Sequence, residues 1–288
     1  MKILLIIQKN SRFIRKRFKE EVDSIHDLDV YHYSQLSIKL GGGFSIKVGK
    51  KELSKKNYDA VILRLAGPGA GMVYFKDIIS RHFAKTSYVL NGESYILWPR
   101  LGKVQQSYML SKNGLPVAET NLYATKEIFP SNKIKLPLIV KKNFGKLGNA
   151  VFKAESIKDF KTLTRGNISD YLFQPFFTTG EDFRVIVIGG KALDYTMKKV
   201  AQKGQFITNI SQGGEAHKVE TTAELKELAE KAAKIFKADY CGVDVMYDTK
   251  GRPHVLEINR SAGFAGFEAA TGMNVVQQIF RFLESKND

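Results

Sequence analysis

Two short apolar runs near the end of the chain constrain it most: Gly242-Val243-Asp244-Val245-Met246 and His254-Val255-Leu256-Glu257-Ile258-Asn259. They are separated by the turn-rich stretch Asp248-Thr249-Lys250-Gly251-Arg252-Pro253 and read as neighbouring strands. Side chains alternate faces along a strand, so Glu257 and Asn259 point the same way. With Asp244 across the hairpin on that face, two carboxylates and an amide converge. An all-oxygen set of this kind suits Mg²⁺ held next to nucleotide phosphates. Single acids in edge strands are mostly solvated. Two acids and an amide set among Val, Ile and Leu favour a metal cluster.

The hairpin needs a larger sheet. Residues 2–8 read as a strand and 10–22 as a basic helix with Phe13, Ile14 and Phe18 on one face. Strands at 28–33, 59–65 and 87–90 alternate with a helix at 73–83, which predicts an α/β unit with a parallel sheet. Gly41-Gly42-Gly43 is a loop. A helix at 102–112 ends on Asn113-Gly114, with Pro116 beyond it. Strands at 138–142, 150–154 and 171–175 flank a helix at 156–163. A meander follows, with strands at 183–188 and 192–200 around the turn Gly189-Gly190. Helices at 224–236 and 272–283 bracket the hairpin. The second half is therefore α+β with antiparallel strands.

The chain has 288 residues, 43% hydrophobic, enough for two domains or one domain with lobes. No apolar run approaches the ~20 residues that span a bilayer. The first apolar run is too short for a signal peptide and reads as a buried strand. A single cysteine, Cys241, makes no internal disulfide, which fits a reducing cytoplasm. The five histidines show no metal-ligand spacing. A net charge of +16 predicts attraction to polyanions without choosing among them. Basic residues are densest at 12–19 and 47–56, where a solvated surface is the simpler reading.

Other motifs are less specific. Gly67-Pro68-Gly69-Ala70-Gly71 follows a strand, but Pro68 lacks an N–H for a phosphate and the spacing is wrong for a dinucleotide loop. A structural turn is the better reading, and a nicotinamide oxidoreductase ranks far lower. Lys141 ends a strand and can reach phosphate. Gly145-Lys146-Leu147-Gly148 lets backbone N–H groups approach an anion. Gln174-Pro175-Phe176 can form an apolar hinge for an adenine edge, Pro175 offering a carbonyl but no N–H. Asp182 and Arg184 alternate onto one strand face, where a surface pair is the simpler reading. Asn209 lies shortly before the turn Gly213-Gly214 and can join a polar site.

Taken in order, these motifs resemble the ATP-grasp superfamily, and most closely its RimK-like amino-acid ligases, a group that includes glutamate ligases. The resemblance runs from Asp59-Ala60-Val61-Ile62-Leu63-Arg64 through Leu90-Asn91-Gly92-Glu93-Ser94 and Lys103 to Pro137-Leu138-Ile139-Val140-Lys141. It continues through Asp182-Phe183-Arg184, Gly204-Gln205-Phe206 with Asn209, and Leu256-Glu257-Ile258-Asn259 to Gly266-Phe267-Glu268 and Thr271-Gly272. Any one motif is unspecific; the ordered set is specific.

The resemblance implies an N-terminal α/β (pre-ATP-grasp) domain at 1–100, then an ATP-grasp fold at 101–288 with lobes about 101–175 and 176–288. It implies that Lys103 and Lys141 contact phosphate or adenine. Gln174, Pro175 and Phe176 would lie at the adenine, and Asp182 near the ribose. Thr208 and Asn209 would approach the phosphates, with Arg184 and Asn209 catalytic. The loop from Gly145 to Gly148 would close over the triphosphate. Asp244, Glu257 and Asn259 would hold two Mg²⁺ ions, with Mn²⁺ as an alternative. The expected reaction is ATP-dependent amide formation through an acyl phosphate. It would join an amino acid, glutamate as the first guess, to a peptide, protein tail or small acidic acceptor. Glutamate-specific relatives commonly have arginines where this chain has Ile207 and Gln212. Relatives have a small residue at Arg260, usually an acid at Pro175, and a proline at Ala262. The departures leave the chemistry intact and the substrate open, with Arg260 and Ser261 as candidate substrate contacts. The alternative from charge alone is a basic protein that binds RNA or the ribosome through a vestigial ATP-grasp fold. Self-association is compatible with either.

Overall fold

The computed structural model describes residues 1–23, 25–64, 71–130, 135–145, 150–202, 204–205, 208 and 213–287. The N-terminal part contains strands β1 (Lys2–Ile7), β2 (Asp27–His32), β3 (Leu36–Lys39), β4 (Ser45–Val48), β5 (Lys51–Glu52), β6 (Ala60–Leu63) and β7 (Tyr88–Leu90). Its helices are α1 (Arg12–Glu21), α2 (Met72–Phe83) and α3 (Gly92–Leu97). Next come α4 (Lys103–Lys112), β8 (Leu138–Lys142), β9 (Val151–Ala154), α5 (Ile157–Leu163), β10 (Tyr171–Pro175), β11 (Glu181–Ile188), β12 (Lys191–Ala192), β13 (Tyr195–Val200) and β14 (Glu215–Glu220). The chain ends with α6 (Ala223–Ile235), β15 (Tyr240–Tyr247), β16 (Pro253–Asn259), α7 (Ala265–Thr271) and α8 (Val275–Glu284).

The first sheet is parallel, in the order β2-β1-β6-β7. Strands β1 and β6 are apolar on both faces because both faces are covered. Ile3, Leu5 and Ile7 pack with Phe18 of α1 and Ile279 of α8, while Leu4 and Ile6 pack with Ile79 and Phe83 of α2. Ile14 and Phe18 are buried as the helix pattern predicts, but Phe13 is 45% exposed, its ring lying against that of Phe264. His26 ties this part to the C-terminal helix, with Nδ1 2.7 Å from Asp23 Oδ1 and Nε2 3.2 Å from Glu284 Oε1.

Strands β10-β8-β9 form a small antiparallel sheet backed by α5. The large sheet runs β14-β13-β11-β15-β16, with β12 on β11. Its two faces differ. Val185, Val243, Val245 and Ile258 pack under α4 and α6. On the other face, Ile186, Ile188, Met197 and Tyr240 pack against β1, α1 and α8. Further along that same face, the side chains turn polar.

Asn91 joins the N-terminal part to the large sheet. It adopts φ 62° at the start of α3 and is 1% exposed. Its Oδ1 accepts from Tyr240 N at 2.9 Å, and its Nδ2 donates to the carbonyls of Tyr240 (2.7 Å) and Arg260 (2.9 Å). Asn tolerates the left-handed conformation better than other non-glycine residues. Asn91→Ala leaves these buried groups unpaired and puts a Cβ-bearing residue without local compensation at positive φ. Each effect costs on the order of 1–3 kcal/mol. A urea unfolding series should show a loss of about 3 kcal/mol, and a change under 0.5 kcal/mol, within the ordinary range for surface substitutions, would contradict this role.

Candidate active site

Cross-strand register assembles the polar end of the large sheet. On β11, Asp182 lies opposite Lys199 of β13, and Arg184 lies opposite Asp244 of β15. On β16, Glu257 lies opposite Asp244, and Asn259 opposite Gly242. The expected convergence of Asp244, Glu257 and Asn259 on one face is therefore present.

The Arg184 guanidinium grips Asp244 with both prongs, Nε to Oδ1 at 2.8 Å and Nη2 to Oδ2 at 2.6 Å. Lys199 Nζ lies 2.5 Å from Asp182 Oδ1 and 3.7 Å from Asp244 Oδ1. Thr208 donates its hydroxyl proton to Asp182. Asp182, Lys199, Thr208 and Asp244 are all buried. Burial pulls the Asp244 carboxyl upward, but Arg184 and then Lys199 outweigh it and hold it at about 2. Asp182 goes the other way: burial pushes it up, and neighbouring Asp244 adds to that, against the opposing pull of Lys199. Burial would lower Arg184, yet Asp244 raises it further than that. The reading of Asp182 and Arg184 as a surface pair is thus corrected. Both are drawn inward because each finds an opposite charge across the ladder. Lys199 is the residue that sequence reasoning missed. One lysine among many carries no signal, and only its register opposite Asp182 reveals it.

Helix α4 and strand β8 of the smaller sheet each bring a lysine to these acids. Lys103, first residue of α4, donates to Gly145 O at 3.2 Å and lies 3.5 Å from Glu257 Oε2. Burial lowers Lys141 to about 8; Glu257 opposes this, Lys103 reinforces it, and Asp182 and Asp244 pull it back up. Lys141 therefore shares one electrostatic field with the acids of the large sheet. Gly145 is required by space, since a Cβ there would stand 2.1 Å from that of Ala150.

At the expected adenine hinge, Gln174 is buried with Nε2 donating to Thr120 Oγ1 at 2.9 Å, so its side chain is already committed. Pro175 is exposed at the end of β10, and Lys153 Nζ sits 4.5 Å over the Phe176 ring. Arg260 is held by α3: its Nη1 donates to Ser94 O at 2.6 Å, and it lies against the ring of Tyr95. Ser261 N donates to Asn259 Oδ1 at 3.0 Å. Gly148, Asn209, Ile207, Gln212 and residues 67–70 of the glycine-rich turn lie outside the described residues.

The donor set fits a hard divalent cation. Asp244 is ionised, Glu257 faces it across the ladder, and Asn259 lies on the same face. A carboxylate offers about four acceptor positions, so the Arg184 fork does not exhaust Asp244.

Comparison with known proteins agrees with this geometry. Residues 102–283 match the RimK-like ATP-grasp domain. A probable alpha-L-glutamate ligase of Psychromonas ingrahamii (strain DSM 17664 / CCUG 51855 / 37) is 30% identical over 295 residues, spanning 99% of this chain and 95% of the relative. Among solved structures, the ATP-grasp ligase PsnB complexed with minimal precursor superposes with a TM-score of 0.74 at 20% identity, covering 99% of both chains. PsnB complexed with a phosphomimetic variant of minimal precursor, Mg and ADP gives 0.73 at 19% identity, covering 99% of this chain and 98% of that one. Fold and site together define an ATP-dependent ligase of the ATP-grasp class. The chain belongs to the RimK-like ATP-grasp family, whose ligases bind ATP and Mg²⁺ and form amide bonds.

Phosphate favours the protonated lysine, so nucleotide binding above the Lys141 midpoint must take up a proton. Mg-ADP affinity, followed by calorimetry, should fall as pH rises through about 8, and Lys141→Met should flatten that limb. An unchanged pH profile in the variant would remove Lys141 from the phosphate site.

Proposed function

We propose that this chain activates a carboxylate with ATP and couples it to the amino group of an amino acid, glutamate first. The acceptor is a peptide, protein tail or small acidic molecule. The observation that carries this reading is the one face of the large sheet where Asp182, Arg184, Lys199, Asp244 and Glu257 meet Lys103 of α4 and Lys141 of β8.

Each side chain has a part in this reading. Lys103 and Lys141 bind the phosphates, and the backbone from Gly145 to Gly148 covers them. Gln174, Pro175 and Phe176 border the adenine, Gln174 through its backbone. Asp182, neutralised by Lys199, lies toward the ribose. Thr208 and Asn209 approach the transferring phosphoryl group. Arg184 keeps Asp244 ionised and oriented. Asp244, Glu257 and Asn259 hold Mg²⁺, as two ions with Mn²⁺ as a substitute; bound metal offsets the charge of the phosphates. A carboxylate oxygen of the substrate attacks the γ-phosphorus and ADP leaves. The amine then attacks the acyl carbon, phosphate departs, and the amine proton passes to solvent. Positioned cations stabilise both steps by matching developing negative charge. The lobes at about 101–175 and 176–288 would close to exclude water, with residues 1–100 as the preceding domain.

The relative's name, alpha-L-glutamate ligase, and the precursor bound to PsnB support an amino acid and a peptide as substrates. The +16 charge suits an acidic acceptor in the cytoplasm. It also gives a salt-sensitive attraction to RNA or ribosome surfaces, and self-association is compatible with this reading.

ADP release in Mg-ATP, L-glutamate and a peptide ending in glutamate tests the proposal, with mass spectrometry to detect addition of a glutamyl residue. Glu257→Gln should lower turnover by about 100-fold or more, the scale seen when one electrostatic contact to a transition state is lost. Undiminished turnover in that variant would show the metal assignment to be wrong.

A further inference from the structure

Beside the acids of the large sheet lies a second charged cluster of opposite character. Arg64, directly after β6, is 1% exposed. Its Nη2 donates to Ala262 O, and its guanidinium stacks on Tyr240 (4.7 Å) and Phe264 (5.3 Å). Its Nε and Nη1 are buried without a partner among the described residues, as is the hydroxyl of nearby Tyr33. Lys76 of α2 reaches Ser261 Oγ at 2.9 Å and Tyr95 OH at 3.4 Å, with its ammonium 4.4 Å from the Tyr95 ring centre. Arg260 flanks the same ring at 5.0 Å.

Among the described residues, no Asp or Glu lies within ion-pair distance of Arg64, Lys76 or Arg260. The contrast with Arg184 and Lys199 is sharp, since those buried cations are matched by carboxylates. Buried charge is costly unless paired, and buried polar groups normally find partners. Rings, hydroxyls and backbone carbonyls meet part of that need here; burial pushes the Tyr95 hydroxyl up, but Lys76 and Arg260 outweigh it and hold it at about 8, so at neutral pH it supplies no full anion. The cluster adjoins the metal-binding face: Lys76 bonds the hydroxyl of Ser261, whose backbone N–H bonds Asn259.

We propose that Arg64, Lys76 and Arg260, with Tyr95 and Ser261, form a pocket for a second, non-reacting carboxylate of the substrate. The enzyme would then hold this acid while the reacting group of the same molecule, the acceptor's other carboxylate or the amino acid's amine, is presented at the ATP site. This rests on the ligase reading of the adjoining face. The carboxylate comes either from the acceptor or from the incoming amino acid; the chemistry of capture is the same.

The test titrates glutarate, and separately butyrate, into the full-length protein in Mg-ADP. Wild type should bind glutarate at least about tenfold more tightly than butyrate, the scale of one charge-assisted hydrogen bond. Lys76→Met should remove that preference while leaving Mg-ADP affinity unchanged, and Lys76→Arg should restore it. In turnover, the KM that rises about tenfold in Lys76→Met, for acidic peptide or for L-glutamate, names the source of the carboxylate. Equal binding of glutarate and butyrate by wild type, or an unchanged preference in Lys76→Met, overturns the pocket. Parallel loss of Mg-ADP binding in Lys76→Met also overturns it by placing Lys76 in the nucleotide site. Wild type that prefers glutarate yet never binds Mg-ADP would keep the pocket and remove the ligase reading.

Discussion

The two-pronged bond between Arg184 and Asp244 is the interaction on which the rest of the site depends. It joins β11 to β15 inside the protein, where neither charge is stable alone. Removing one partner of such a buried pair leaves the other uncompensated, at a cost of about 3–5 kcal/mol. Its consequence is chemical as much as structural. Burial alone would push Asp244 toward its neutral form, and Arg184 does most to keep it ionised. An ionised Asp244 completes the donor set with Glu257 and Asn259. It also draws Lys199 into the same interior, where Lys199 pairs Asp182. Three strands are thereby committed to one pattern of charge.

That pattern occupies only part of a sheet face. The remainder, with Ile186, Ile188, Met197 and Tyr240, is apolar and is covered by β1, α1 and α8. Asn91 fastens this cover to Tyr240 and to the carbonyl of Arg260, directly after β16. The N-terminal sheet therefore does more than bury surface: it fixes the turn from Asn259 to Ser261 and brings Lys76 beside it. Lys141 of the small sheet feels the acids of the polar portion, and Lys103 of α4 lies 3.5 Å from Glu257 Oε2, so lysines and acids reach the same space from different elements.

The ATP-grasp fold was legible because its signals are local, and the candidate site residues were named from signals of the same kind. Alternation put Glu257 and Asn259 on one face, and two flanking apolar runs made the hairpin readable. What was missed depends on distant pairing or on weak patterns. Lys199 gains its role only by facing Asp182. The cluster around Tyr95 depends on contacts such as that from Arg64 to Ala262, 198 residues apart. Strands β3 to β5 are too short to show a period, and β14 is an edge strand with a mixed polar pattern. Gly272 was read as the start of the last helix, but with φ 72° it closes α7, and Asn274 caps α8.

The central claim is that Asp244, Glu257 and Asn259 form one metal-binding face against the nucleotide. Electron paramagnetic resonance of Mn²⁺ titrated into the protein with ADP tests it directly, because bound Mn²⁺ loses the sharp spectrum of the free ion. The account predicts that wild type binds Mn²⁺ beyond what ADP alone takes up, and that Asp244→Asn and Glu257→Gln leave the spectrum of Mn²⁺ with ADP alone at the same concentrations. Equal Mn²⁺ binding by wild type and both variants would contradict it.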